Sequence, residues 1–102
     1  MYPKFIIMAF PDRPLAGTFI YGKVYNHCDL AKGYGKVYGG GWYEKDDDKK
    51  TMLLYGASGD YGEPALEFLS RIPRSLKGYA FYYAPDPSDR PEPLDVSSVE
   101  WI

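Results

Sequence analysis

The pattern of hydrophobic and polar positions along the chain predicts a fold built mainly from β-strands. Short apolar or alternating runs are separated by glycines, prolines and charged residues, as in strands that are joined by turns. Each run is of ordinary strand length. The predicted strands are Lys4 to Phe10, Gly17 to Asn26, Lys36 to Lys45, Met52 to Tyr55, Tyr79 to Ala84 and Leu94 to Ile102. Inside the third run, the consecutive glycines Gly39 to Gly41 predict a bulge, a bend or a close approach by another backbone.

One segment shows helical periodicity instead. Pro64 suits the first turn of a helix, because its missing N–H would have no partner there, and Pro73 would end the helix. Between them, apolar residues recur at the spacing that places one hydrophobic stripe on a sheet. These residues are Ala65, Leu66, Phe68, Leu69 and Ile72. We therefore predict a helix that crosses one face of the sheet and buries Phe68 and Leu69.

Together these elements predict a single α+β domain over residues 1–102. Its expected core is a mainly antiparallel sheet of five or six strands, with one principal helix packed on a face, in the order β-β-β-β-α-β-β. A small curled β-barrel capped by the helix is the alternative, which a kink at the glycines would allow. The segment from His27 to Gly33 is expected to form one helical turn or a loop, and the proline-rich stretch from Pro85 to Pro93 an extended connector.

Charge and cysteine content narrow the functional classes. Twelve basic and 14 acidic residues give a net charge of −2 without a basic block, which argues against a nucleic-acid partner. A single cysteine cannot form an internal disulfide, and no run has the length of a membrane span, so we expect a cytoplasmic protein that starts near Met1 and has no membrane segment. One histidine and one cysteine cannot complete a structural zinc site, and Asp46 to Asp48 lack the spacing of a calcium loop. We therefore expect no metal and no cofactor.

Aromatic residues exceed what a small core needs. The chain has 18 of them, 11 being tyrosine, a residue that buries ring area while its hydroxyl remains free for a polar partner. Candidate binding residues are Tyr21 and Tyr25 on the second strand, and Tyr38 and Trp42 on the third, which share a face if the glycines insert no bulge. This pattern predicts a non-catalytic interaction module that binds a macromolecule, in the first instance a protein, through a tyrosine-rich sheet surface. A small-molecule ligand remains possible.

The adjacent residues His27 and Cys28 suggest an alternative function. A histidine can lower the pKa of a nearby thiol, and Asp29 could orient the ring, as in a small thiol-dependent enzyme or a redox sensor. Neighbours in sequence do not face each other on a strand, however, so this reading requires a bend. The sequence shows no other acid and base whose proximity can be argued, which favours a protein that is not an enzyme.

A second alternative is a nucleotide or phosphate binder at Gly56, Gly59 and Gly62. The segment GASGDYG follows an apolar run and precedes the predicted helix, and it resembles the glycine turn of the extended short-chain dehydrogenase/reductase family. That resemblance implies a dinucleotide pyrophosphate at the turn, with Asp86 near a ribose. The likeness covers about a fifth of the chain, and three predicted strands precede the motif. The carboxylates of Asp60 and Glu63 would also repel a phosphate at this position.

Overall fold

β-Strands are the main secondary structure of the described part of the chain, which contains no α-helix. The structure is a computed structural model and describes residues 1–31, 33 and 35–102. Its strands are β1 (Tyr2–Ala9), β2 (Gly17–Val24), β3 (Lys36–Asp46), β4 (Thr51–Tyr55), β5 (Leu69–Ile72), β6 (Ala80–Ala84), β7 (Glu92–Leu94) and β8 (Glu100–Trp101). Short 3₁₀ helices span His27–Leu30, Leu66–Phe68 and Arg74–Leu76. The predicted helical turn after Asn26 is the first of these, and Lys32 of that prediction lies outside the described residues.

The eight strands form one mixed sheet that curls into a half-barrel. Their order across the sheet is β7-β6-β4-β3-β1-β2-β5-β8. The pairs β1–β2, β1–β3, β3–β4 and β6–β7 are antiparallel, whereas β2–β5, β4–β6 and β5–β8 are parallel. The predicted α+β fold with a helix on one face is therefore wrong. The curled alternative agrees with this curvature, but no α-helix caps it among the described residues.

The predicted helix between Pro64 and Pro73 is replaced by a turn and a strand. After the 3₁₀ helix Leu66–Phe68, β5 pairs in parallel with the start of β2 at Gly17. The available segment is shorter than an isolated helix needs to be stable in water, and β2 would otherwise leave backbone N–H and C=O groups unpaired at an edge. Pairing with β2 satisfies those groups and still buries Ile72 completely.

The sheet separates two clusters of buried side chains. We call the side that carries Phe5, Ile7 and Phe19 the inner face, and the side that carries Ile6, Met8 and Trp42 the outer face. The inner face holds the larger cluster, which consists of Phe5, Ile7, Phe19, Tyr43, Met52, Leu54, Ile72, Leu76, Tyr79 and Phe81. On the outer face, Ile6 and Met8 are buried with Leu30 of the first 3₁₀ helix. The predicted strands supply most of the core, Ile72, Leu76 and Leu30 come from segments that were not predicted as strands, and both faces of β1 are covered.

A bulge at the glycine run decides which side chains of β3 reach each face. Ile6 of β1 pairs with Gly40, while Met8 pairs with Val37, so β3 has one extra residue between these pairs. Gly39 has a φ of 87°, and a Cβ there would lie 1.8 Å from the carbonyl oxygen of Glu63. The predicted bulge and close approach are both confirmed. Only glycine fits this position, because it combines left-handed backbone with direct contact to another chain segment.

Candidate protein-binding surface

The outer face of β3, β4 and β6 carries a row of large side chains that remain partly exposed. Trp42 of β3 lies directly opposite Tyr55 of β4, and Leu53 of β4 pairs with Tyr82 of β6. All of these side chains are half-buried. Alternation places them on the same face, because each lies an even number of residues from its neighbour on the strand or directly across from it. We call Trp42, Leu53, Tyr55 and Tyr82 the outer aromatic face.

Lys4 connects this surface to the N-terminal strand. Lys4 pairs with Trp42 in the β1–β3 ladder, and its ammonium nitrogen lies 5.6 Å from the centre of the Trp42 ring. The same nitrogen lies 5.6 Å from the ring of Tyr2, which is 57% exposed, and donates a hydrogen bond of 2.6 Å to the carbonyl oxygen of Tyr25. Contacts between an ammonium group and aromatic rings are favourable when the cation is partly desolvated. Two predicted binding residues, Tyr25 and Trp42, therefore meet around Lys4, one through its backbone and the other through its ring.

The two halves of the outer face differ in what covers them. On β1 and β2, the 3₁₀ helix His27–Leu30 packs over the sheet and completes the smaller buried cluster. On β4 and β6, no described helix covers the face, and two shallow pockets open there. One, of about 410 Å³, is lined by Thr51, Leu53, Tyr82, Arg90 and Pro91; the other, of about 310 Å³, is lined by Trp42, Tyr55, Gly56 and Pro87. The predicted proline-rich connector is only partly confirmed: Pro87, Arg90 and Pro91 border the outer aromatic face, but from Glu92 onward the segment forms β7 and pairs with β6.

The remaining predicted tyrosines lie on the inner face. Tyr21 and Tyr38 are half-buried and pack against the larger core cluster. The ring of Tyr38 lies 4.5 Å from that of Phe68, whereas Tyr21 lies 5.2 Å from Tyr43. The bulge places Tyr38 and Trp42 on opposite faces, so the structure does not bring Tyr21 or Tyr38 together with Trp42.

His27 and Cys28 point in different directions. His27 is 3% exposed and lies edge-to-face against Trp42, with ring centres 5.1 Å apart, whereas Cys28 is exposed. Burial is the main cause that lowers the pKa of His27 below its usual value. The carboxylate of Asp29 accepts a hydrogen bond of 3.0 Å from the backbone N–H of Asn26, and Nε2 of His27 is hydrogen-bonded to the carbonyl oxygen of Gly41 instead. These contacts do not form a thiol nucleophile with an adjacent base.

The glycine turn uses its own backbone donors. The N–H of Ser58 donates to Gly40 and Gly62, and the N–H of Gly62 donates back to Ser58. The N–H groups of Asp60 and Tyr61 both donate to the Ser58 hydroxyl at 3.2 Å. A phosphate site of this type needs free N–H groups and a following helix, and here the turn leads into a 3₁₀ turn and β5. These hydrogen bonds stabilise the turn and join it to β3, where the N–H of Ser58 donates to the carbonyl oxygen of Gly40.

Three members of the outer aromatic face were not predicted as binding residues from the sequence. Leu53 and Tyr55 have the same parity in the run Met52 to Tyr55, but an apolar run of strand length gives no sign of which face is exposed. Tyr82 lies among three aromatic residues of β6, where the same ambiguity holds. Which side chains of β4 and β6 share the exposed face can be determined only when the parallel pairing of these two strands is known.

The described residues contain no cluster of three or more metal-ligating side chains, and none of their helices is long and apolar enough to cross a membrane. Comparison with protein-family models, curated proteins and solved structures found no match to this chain. Fold and surface therefore define the class: a small mixed-sheet half-barrel with an aromatic-rich outer face.

Proposed function

We propose that this protein is a non-catalytic module that binds another protein through its outer aromatic face. The observation that carries the proposal is the uncovered half of the sheet, where Trp42 and Tyr55 stand side by side and Leu53 and Tyr82 form the next row. Tryptophan and tyrosine supply much of the binding energy in protein interfaces, because large rigid rings bury area at low entropic cost. A patch of such residues on a sheet is therefore suited to docking.

The charges around the face favour a protein over a nucleic acid. Arg90 lines one of the pockets and makes no ion pair with any described residue. Arginine is enriched in protein interfaces, where it pairs with carboxylates of the partner. The segment from Glu44 to Lys50 beside the face carries four acidic and three basic residues, and the chain has a net charge of −2, so neither supplies the excess of positive charge that a nucleic acid would need. The partner is expected to present an apolar segment with an acidic residue near Arg90.

Site-directed photo-crosslinking in cells tests the proposal. A photoreactive residue at position 82 should capture a defined protein, whereas the same residue at Leu15, which is 85% exposed and lies outside the outer aromatic face, should not. The captured protein, once purified, should bind the wild-type chain. Leu53→Ser and Tyr82→Ser should each weaken that binding by roughly tenfold or more, as expected for central interface residues.

Leu15→Ser serves as the matched control, because it removes an exposed leucine elsewhere and should leave the affinity unchanged. Urea titrations of all variants separate binding from folding. Equal capture from positions 15 and 82 would contradict the proposal, as would tight binding by the Leu53→Ser/Tyr82→Ser double variant. Crosslinking only to a second copy of the chain or to nucleic acid would also reject it in this form.

A further inference from the structure

Another pocket lies on the inner face, away from the outer aromatic face. It has a volume of about 430 Å³ and is lined by Pro3, Tyr21, Lys23, Tyr43, Glu44 and Lys45. The rings of Tyr21 and Tyr43 lie edge-to-face, with centres 5.2 Å apart and an interplanar angle of 89°. These rings also continue the larger core cluster, so the pocket has a fixed aromatic wall on one side.

The hydroxyl groups of both tyrosines are available as donors. Neither hydroxyl makes a hydrogen bond to any residue that the structure describes, although Tyr43 is only 8% exposed. Burial, and then the nearby Tyr21, raise the pKa of Tyr43 above its usual value, while Lys45 opposes this. Tyr43 therefore keeps its proton at neutral pH. A phenol at the wall of a pocket needs an acceptor, which only water or a ligand can supply here.

Two ammonium groups border the same pocket. Lys23 makes no ion pair with a described residue, and Lys45 lies 3.1 Å from a carboxylate oxygen of Asp47. The hydroxyl of Tyr79 donates to the same oxygen at 2.5 Å, so Asp47 is already engaged by two groups. Glu44 is the one carboxylate-bearing residue in the lining, but it pairs with Leu53 of β4, so strand alternation directs its side chain to the outer face, away from the two lysines and the two tyrosine hydroxyls.

We propose that this inner-face pocket binds a small organic anion through its carboxylate or phosphate group. Tyr21, Tyr43 and Lys23 are the donors to the anionic group, because each has a hydroxyl or ammonium group that lacks a hydrogen-bond or ion-pair partner within the described protein. The edge-to-face ring pair provides an apolar wall for the remainder of the ligand. Hydrogen bonds to a charged acceptor are stronger than those between neutral groups, which makes an anion the preferred occupant. This site is independent of the protein-binding proposal, since it uses the other face of the sheet.

Titrations of the isotope-labelled chain followed by NMR test this inference, with inorganic phosphate and benzoate as separate probes. We expect saturable shifts of the amide signals of Lys23, Tyr43 and Lys45 with at least one probe. Saturation with phosphate alone identifies a phosphate site, saturation with benzoate alone a carboxylate site, and saturation with both a general anion site. Tyr43→Phe and Lys23→Gln should each lower the affinity roughly tenfold, the effect of losing one hydrogen bond to a charged group.

Matched controls on other surfaces are Tyr55→Phe and Lys36→Gln, which should leave the affinity unchanged. Three results would overturn the inference: no shift with either probe, shifts that do not saturate, or an equal loss of affinity in Lys36→Gln and Lys23→Gln. Because the outer-face variants Leu53→Ser and Tyr82→Ser should still bind the anion, failure here is distinguishable from failure of the protein-binding proposal.

Discussion

The Nε2 atom of His27 lies 2.8 Å from the carbonyl oxygen of Gly41, and this contact fixes that Nε2 is a protonated nitrogen of the ring. A carbonyl oxygen can only accept, so Nε2 carries the proton and donates. Burial lowers the pKa of His27, the carbonyl of Gly41 partly opposes this, and of the nearby charges Lys4 lowers the pKa while Asp60 raises it. The neutral imidazole is thus the form that the fold accommodates.

The first prediction concerns pH. Because the pKa of His27 is lower in the folded chain than its usual 6.5, the unfolded chain takes up a proton first as the pH falls. The free energy of unfolding should therefore be fully present above about pH 6.5, decrease as the pH falls through the lowered pKa, and level off below it. Urea titrations between about pH 8 and pH 5 would measure this decline.

His27→Gln is the matched variant for this test, because it retains a donor for the carbonyl of Gly41 but does not titrate. Its unfolding free energy should not decline over the same range. Carboxylates with lowered pKa, such as Asp86, contribute only at lower pH, since their usual value is 3.8. A wild-type stability that is constant over this range, or an equal decline in His27→Gln, would refute the assignment.

The second prediction compares two glycines. Gly39→Ala should destabilise the protein by more than about 3 kcal/mol, because it combines positive φ with a direct clash against backbone. Gly59→Ala is the control, since a Cβ there meets nothing within 4 Å. It should change the unfolding free energy by less than about 1 kcal/mol. Thermal and urea unfolding would measure both, and equal losses would contradict the assignment of backbone strain and crowding to Gly39.

The third prediction tests strand β5. Ile72 is fully buried at the end of this strand, so Ile72→Ala should reduce the unfolding free energy by about 2–5 kcal/mol. Leu15→Ala removes a leucine that is 85% exposed and should have an effect within about 0.5 kcal/mol. The amide of Arg71, within the segment predicted to be helical, should show chemical shifts typical of an extended strand. Helical shifts there would contradict the parallel pairing with β2.

The fourth prediction concerns a buried hydroxyl. Thr18 is 4% exposed, and its hydroxyl has no hydrogen-bond partner among the described residues. Thr18→Val replaces the hydroxyl with a methyl group of similar size and should stabilise the protein by about 1 kcal/mol. Ser58→Ala should have the opposite sign, because that hydroxyl accepts two backbone hydrogen bonds. A loss of stability in Thr18→Val would indicate a bonded hydroxyl.

Much of the sheet could be predicted from local pattern. The runs assigned to β1, β2, β3, β4 and β6 were located to within one or two residues at each end, because strand periodicity and turn residues act over short distances. The prediction of a helix at Pro64 to Ile72 was wrong. The spacing of apolar residues in a short segment fits either one face of a helix or a strand that pairs with an open sheet edge. Strand pairing depends on residues far away in the chain, which no local pattern contains.

The residues of the candidate sites could likewise be predicted only in part from the sequence. Trp42 was identified from the sequence, but Leu53, Tyr55 and Tyr82 were not, because their exposure depends on the parallel pairing of β4 with β6. Tyr21 was identified as a binding residue, but its place beside Tyr43 required the register of β1, β2 and β3. The sequence cannot show which of two apolar faces remains uncovered.

By itself the sequence determined the positions of β1, β2, β3, β4 and β6, and that Gly39 to Gly41 interrupt β3. Only the tertiary structure decided that the bulge turns Tyr38 inward and Trp42 outward, since one extra residue reverses the facing of every later side chain on the strand. It also decided that His27 is buried and Cys28 exposed, because that outcome depends on where the 3₁₀ helix packs on the sheet. Local preference fixes most of the strands, whereas long-range pairing and burial fix β5 and what each side chain can contact.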